Sequence, residues 1–177
     1  MYVLPSKIDF KIKQIFVNFL QDNLMEHITK NSKFWSDDDQ TVLKAIREGF
    51  LETQKAMWAD LPNWRKTASG LPSTAGTTAS ICFIKRGKLF IGHVGDSGII
   101  LGERDPLNTS SSSNRWRSKR LTRDHKPEEQ PELSRIEEAG GKVVSKSGVP
   151  RVVWEYFHIF YVKSQHVAVG SLISTNF

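Results

Sequence analysis

Apolar side chains recur at Ile8, Ile12, Ile15, Phe16, Phe19, Leu24 and Ile28, close to helical spacing, with Lys11, Lys13, Gln14 and Asn18 between them. The spacing predicts an amphipathic helix over residues 8–30, packed on a core. Its polar side is less basic than a membrane-surface helix requires. Asn31 to Trp35 reads as a loop. Ser36-Asp37-Asp38-Asp39 then reads as a helix start, with a hydroxyl cap and acids placed to meet the helix dipole. Val42, Ile46, Phe50 and Met57 follow at helical spacing, and Pro62 marks the end. The three consecutive acids also suggest a metal cluster, which the helical spacing after them argues against. Asn63 to Ala75, with Gly70 and Pro72, is a connector rich in helix breakers.

From Gly76 the period changes from helical to alternating. Thr77 to Ile84 is β-branched and apolar, Lys85-Arg86-Gly87-Lys88 is a turn, and Leu89 to Val94 is a second strand. Ile99 to Leu101 is expected as a third strand of the same sheet, apolar on both faces as in a covered sheet. Asp105 to Asn114, with its serines, is an excursion. Arg117 to Arg123 returns as an edge strand, basic on its exposed side. Asp124-His125-Lys126-Pro127 is expected to start a helix with Leu133, Ile136 and Ala139 on its buried side, stopped by Gly140-Gly141. Lys142 to Lys146 and Val149 to Trp154 are two short strands around Ser147-Gly148. Beyond Trp154 the chain is aromatic (Tyr156, Phe157, Phe160, Tyr161) without a clear period and receives no assignment.

One stretch stands out chemically. Gly92-His93-Val94-Gly95-Asp96-Ser97-Gly98 sets a single carboxylate between two apolar runs. A charge in strand-like sequence must be hydrogen-bonded, paired or metal-bound, because burying it alone costs several kcal/mol. Asp96 is therefore either a carboxylate aimed at a cation from a strand end, or the acid of a tight turn bonded to its own backbone. His93, inside the strand, reads as a core histidine with satisfied nitrogens.

Composition narrows the classes. A chain of 177 residues with 25% charged and 38% hydrophobic residues suits a single folded domain. Net charge is +6, which favours acidic or phosphorylated partners. Part of the excess is local: Arg115, Arg117, Lys119, Arg120 and Arg123 crowd one region, as a solvated surface does. No RNP-like, zinc-finger or KH-like pattern supports a nucleic-acid partner. Cys82 is the only cysteine, so no internal disulfide forms; its apolar neighbours predict a buried small side chain. No apolar run is long enough to span a membrane and Lys7, Asp9, Lys11 and Lys13 break any signal-peptide core, so an intracellular place, nucleus or cytoplasm, is expected.

Five landmarks stand in order: Ser73-Thr74-Ala75-Gly76-Thr77-Thr78-Ala79; His93-Val94-Gly95-Asp96-Ser97; Leu121-Thr122-Arg123-Asp124-His125-Lys126-Pro127; Glu132 with Arg135-Ile136-Glu137 and Gly140-Gly141; and Gly148-Val149-Pro150-Arg151-Val152. In this order and spacing the chain resembles the central part of a metal-dependent protein serine/threonine phosphatase of the PPM (type 2C) family, over residues 40–154. Trp58, Leu71-Pro72-Ser73-Thr74, Lys146-Ser147-Gly148 and Val152-Val153-Trp154 resemble its stress-induced delta type in particular.

The resemblance implies an α+β fold: a partial α-β-β-α sandwich of antiparallel sheets with flanking helices, incomplete at both ends, in one domain over 1–177 with a divergent tail at 155–177. It also implies Mg²⁺ or Mn²⁺ as cofactor and phosphoproteins as partners. Hard cations take oxygen ligands, and a two-metal clamp supplies a hydroxide nucleophile for phosphoryl transfer. Asp96 matches the family's accessory metal position. His125 falls in the Asp-His-Lys-Pro signature, with a structural role.

The family's first metal motif, Asp-Gly-His-Gly-Gly, has no counterpart in Met1 to Phe10, where Asp9 is the only acid, and no aspartate follows Trp154. His166-Val167-Ala168-Val169-Gly170 matches only the start of a later family stretch, without its Asp. The expectation is a chain without most metal ligands, binding Mg²⁺ or Mn²⁺ weakly or not at all and inactive by itself; the alternative is a non-catalytic pseudophosphatase or fragment that acts only as a binding module. Ile81, Phe83, Leu89, Ile91 and Ile99 are expected to lack facing partners, and His93 and His125 to stand apart from each other.

Overall fold

The computed structural model describes residues 10–64, 66, 70, 76–104, 116–146, 148–153 and 170–176. Most of the 63–75 connector, the serine-rich excursion and the aromatic tail from Trp154 lie outside them. The described residues are α+β, with antiparallel sheets and helices, as expected. They fall into two compact units, one up to Ala79 and one from Ser80 onward.

The first unit is a helical pair. Helix α1 spans Phe10–Thr29 and α2 spans Asp39–Ala59. Leu24 and Ile28 of α1 are buried, as are Val42, Leu43, Ile46, Phe50 and Met57 of α2, so the apolar periodicity did mark the packed faces. The expected loop at 31–35 contains a 3-10 turn, Ser32–Trp35, which buries Phe34. Two local bonds explain it: the Asn31 side chain accepts from the Lys33 amide at 3.1 Å, and the Trp35 indole Nε1 donates to the Thr29 carbonyl at 2.9 Å. The cap of α2 is Asp38 rather than Ser36. The Asp38 carboxylate accepts from the Thr41 amide at 2.8 Å, while Ser36 Oγ accepts from the Asp38 amide one step earlier. Asp38 is held below the usual carboxylate range by Thr41, first through its hydroxyl and then through its amide.

The helices approach closely where Gly49 of α2 faces Ile28 of α1. One turn on, buried Thr53 donates to the Gly49 carbonyl at 2.8 Å and lies 2.8 Å from His27 Nδ1. Since the hydroxyl proton is used on Gly49, His27 donates from Nδ1. Trp64, inside the stretch read as connector, is a core residue: it packs with Met57, Phe19 and Leu20 and its Nε1 donates to Asp60 at 3.1 Å.

The second unit holds three small sheets. β1 (Ala79–Lys85) and β2 (Lys88–Val94) form the expected hairpin. Arg86 and Gly87 both have positive φ, 52° and 69°, the conformation that a two-residue hairpin turn of matching twist demands. The third strand of this sheet is not Ile99–Leu101 but β7, Gly170–Asn176, in the tail that the sequence left unassigned. β7 pairs antiparallel with β2, with Leu89 opposite Thr175, Ile91 opposite Ile173 and His93 opposite Gly170. Leu89 and Ile91 are not left without partners: they form a buried cluster with Leu121, against which Ile99 and Leu101 pack.

β1 alternates half-buried and exposed positions, and Ser80, Cys82 and Ile84 fall on the exposed ones. Cys82 is thus exposed, against expectation. Its apolar neighbours predicted two covered faces, but the face of β1 that carries Ser80, Cys82 and Ile84 is exposed.

β3 (Ile100–Arg104) pairs with β4 (Trp116–Arg120) in a sheet of their own. The basic return strand is real, but it ends at Arg120, and Leu121 and Thr122 are buried. Helix α3 runs Gln130–Glu138, starting five residues later than Asp124-His125 suggested, because those residues are used in contacts described below. Its end is as expected. The Gly140 amide donates to Glu137 and the Gly141 amide to Ile136, both at 2.8 Å, with Gly140 at φ 80°. Glu132 and Arg135 form an ion pair along α3, with Arg135 Nε 2.9 Å from Glu132 Oε2. Strands β5 (Lys142–Lys146) and β6 (Val149–Val153) pair antiparallel across the expected turn.

Candidate functional site

Asp96 lies in a loop, residues 95–99, that leaves β2 and enters β3. Both ends of the loop are tied to the segment 121–125. At the near end the His125 amide donates to the Gly95 carbonyl at 2.9 Å, and the Gly95 amide donates to His125 Nδ1 at 3.0 Å. At the far end the Leu121 amide donates to the Ile99 carbonyl at 2.9 Å, and the Ile99 amide donates to Thr122 Oγ1 at 2.9 Å. The loop is therefore held by two pairs of bonds to one segment, with Asp96, Ser97 and Gly98 exposed between them. Gly95 has φ 103°, which a residue with a Cβ rarely adopts. Gly98 leaves room for a neighbour, since a Cβ there would lie 3.1 Å from Arg120 Nη2 and 3.2 Å from Thr122 Oγ1.

His93 is fully buried at an irregularity in the β2–β7 register. Its Nε2 lies 3.1 Å from the Arg123 carbonyl, so Nε2 carries the proton and donates. Its Nδ1, 2.9 Å from Ser80 Oγ, accepts the hydroxyl proton. His93 is the satisfied core histidine that the sequence suggested. It does not stand apart, however: its ring stacks on His125 at 5.1 Å between centroids and 22° between planes. Thirty-two positions of sequence separate the two rings, and no local pattern joins them. Asp124 beside His125 is bonded to Arg120 and lies 3.3 Å from Lys126 Nζ.

Burial, and then the nearby His125, lowers the readiness of His93 to take a proton below the usual histidine value of 6.5. Above pH 6.5 the ring is neutral in both folded and unfolded chains and stability is undiminished. Below it the unfolded chain takes up a proton that the folded chain refuses, so stability falls with pH until the depressed folded value is passed. The melting temperature is expected to drop between about pH 6.5 and 5, above the window where the lowered carboxylates of Asp38, Glu48 and Glu132 begin to contribute. A melting temperature constant across that range would contradict a buried neutral His93.

Asp96 makes no hydrogen bond or ion pair among the described residues, so the bond to its own backbone that the turn-acid reading calls for is not seen; the loop is tied at Gly95 and Ile99 instead. It is an exposed carboxylate on a fixed loop. A full two-metal centre does not fit what surrounds it: among the described residues, no three His, Cys, Asp or Glu side chains gather to hold a metal ion. The acids of Asp37, Asp38 and Asp39 make no such group either. Asp38 is spent on the helix cap.

Residues 14–155 match the profile of the family described as protein phosphatase 2C. The chain belongs to this family. The matched span contains the whole Asp96 loop, its 121–125 support and helix α3. "Protein phosphatase 2C homolog 2" of Aspergillus fumigatus is 30% identical over 125 residues, which are 71% of this chain and 24% of that protein. "Probable protein phosphatase 2C 17" of Arabidopsis thaliana is 33% identical over 136 residues, 76% of this chain and 40% of that protein. A crystal structure of serine-threonine phosphatase 2C from Toxoplasma gondii is similar with TM-score 0.49 and 22% identity, over 80% of this chain and 44% of that one. The protein phosphatase 2C chain described here thus spans about a quarter to two fifths of the length of these curated relatives.

In protein phosphatase 2C terms, the Gly-Asp-Ser stretch and the Asp-His-Lys-Pro stretch are one structural unit in this chain. The first carries the carboxylate. The second, read as a helix start, is the strap that holds it. The signal was available: Thr122 and His125 are the side chains that accept the loop's amides. Without an observed contact, nothing assigned that use to them.

Proposed function

We propose that this chain carries the central part of a metal-dependent protein serine/threonine phosphatase domain, the class that hydrolyses phosphoserine and phosphothreonine in proteins. The observation that carries this reading is the Asp96 loop, clamped at both ends to residues 121–125 with its carboxylate left exposed. A preorganised, solvent-facing carboxylate suits a hard divalent cation such as Mg²⁺ or Mn²⁺, and Asp96 matches the accessory metal position. One carboxylate does not make a two-metal hydrolase, so no hydrolytic step is assigned to these residues. By itself the chain acts as a binding module of the phosphatase type. A closer kinship with the stress-induced delta type rests on Trp58, Leu71-Pro72-Ser73-Thr74, Lys146-Ser147-Gly148 and Val152-Val153-Trp154 alone. The single cysteine, Cys82, supports an intracellular place, nucleus or cytoplasm.

The test is turnover of a phosphoserine peptide by the purified chain with Mn²⁺ or Mg²⁺, beside Asp96→Asn. Losing most of a catalytic constellation costs orders of magnitude in rate, so the two proteins are expected to give the same background rate. A metal-dependent rate that Asp96→Asn abolishes would overturn the inactive reading and make Asp96 part of a working centre.

A further inference from the structure

We propose that the outward face of the β3–β4 ribbon is a docking strip for an extended acidic or phosphorylated segment of a partner protein, running toward the Asp96 loop. β4 is Trp116-Arg117-Ser118-Lys119-Arg120: three cations, no acid, and all five residues exposed. The antiparallel register sets Arg104 opposite Trp116, Gly102 opposite Ser118 and Ile100 opposite Arg120, so these six residues share one face. Trp116 is 60% exposed and Ile100 66%. Gly102 gives the indole a flat neighbour, since a Cβ there would sit 3.9 Å from the Trp116 ring. The Arg104 guanidinium lies 5.7 Å from the ring centroid, a cation–π distance that orients both groups.

The charge on the ribbon is unbalanced. Glu103 engages Arg117 at 2.8 Å, and Asp124 engages Arg120 and Lys126. On the proposed face Arg104 meets no carboxylate among the described residues, while Arg117 and Lys119 project from the other face with Leu101 and Glu103. Arg120, on the proposed face, is still 53% exposed in its pair, so an incoming anion can share it. β4 has only β3 as a neighbour among the described residues, and its other edge offers main-chain donors and acceptors to an extended peptide.

The strip also has a direction. The closeness of Arg120 Nη2 to Gly98, at 3.1 Å from where a Cβ would be, puts the guanidinium on the Asp96 loop. A segment lying along β4 therefore leads its next residues to Asp96. This direction rests on the phosphatase reading of the loop; the docking itself does not. Single-stranded nucleic acid is the weaker match, because it uses successive aromatic platforms and only Trp116 lies on this face.

The test is fluorescence anisotropy of the full chain with a short labelled peptide carrying one phosphoserine among glutamates, beside its unphosphorylated form. Binding of both forms, weakened by salt and tighter for the phosphorylated one, is expected. The Arg104→Glu, Ser118→Glu double variant, with both changes on this face, is expected to bind roughly tenfold or more weakly, and Trp116→Ala several-fold more weakly. All three positions are exposed, so these changes leave the fold intact, which circular dichroism checks. Lys55→Glu, an exposed change on α2, is expected to bind as the parent does. No binding by the parent, equal binding by the double variant, or tighter binding of a single-stranded RNA of similar length would each overturn the proposal. Peptide turnover reports on the catalytic reading and anisotropy on the strip, so either fails without the other.

Discussion

Gly49→Val is expected to destabilise the α1–α2 pair by about 3 kcal/mol, at the upper end of what overpacking a core costs. A Cβ on Gly49 would collide with Ile28 Cγ1 and lie 3.0 Å from both the Cα and the N of Ile28. A side-chain tip can turn away. A helix backbone cannot, so α1 itself would have to move. Ile28 is fully buried, and so is Thr53, whose bond to the Gly49 carbonyl sits one turn on. The helical preference for alanine over glycine, about 1 kcal/mol, is too small to offset this, and Gly49→Ala is expected to destabilise as well, though less. Thermal unfolding followed at a helical wavelength checks it: the valine variant should melt about 6–12 °C lower. The Gly49→Ala penalty should shrink in an Ile28→Ala background, because the two positions share the contact. A Gly49→Val chain melting with the parent would show that the helices do not approach there.

His93→Leu is expected to cost about 1–3 kcal/mol, since it removes two hydrogen bonds and leaves the Arg123 carbonyl unsatisfied, whereas the exposed Ser80 can bond water. The Arg123 carbonyl loses its donor and the Ser80 hydroxyl its acceptor. The volume is nearly kept, so the loss measures the bonds more than a cavity. The effect should reach the Asp96 loop. His93 holds the 123–125 segment by its backbone, and that segment holds Gly95 through the amide and ring of His125. Amide hydrogen exchange at Gly95 and His125 is expected to quicken in His93→Leu by more than at the Gly140 and Gly141 amides, which close the end of α3 independently. Equal acceleration at all four would reduce His93 to a general core residue.

What the sequence determined by itself was the local and the periodic. Helical spacing of Ile28, Val42, Ile46 and Phe50 depends on one chain segment meeting any apolar surface, so it was legible without knowing the surface. The same holds for the Arg86-Gly87 turn, the Gly140-Gly141 stop and the pairing of Lys142–Lys146 with Val149–Val153, where neighbours in sequence are partners in space. The ordered landmarks around His93 to Ser97 and Leu121 to Pro127 were enough for the family. Tertiary structure decided whatever depends on distant partners. Cys82 and Ile84 are apolar in pattern yet exposed, because which face of β1 the rest of the chain covers is not written in its own residues. The partner of β2 came from Gly170–Asn176, a short polar segment whose pairing register depends on β2. Asp124-His125-Lys126-Pro127 has the composition of a helix start, but its carboxylate bonds Arg120 and its imidazole accepts from the distant Gly95 amide, and α3 begins later. The stacking of His93 on His125 joins residues from two distant segments, and only the packed loop between β2 and β3 brings them together.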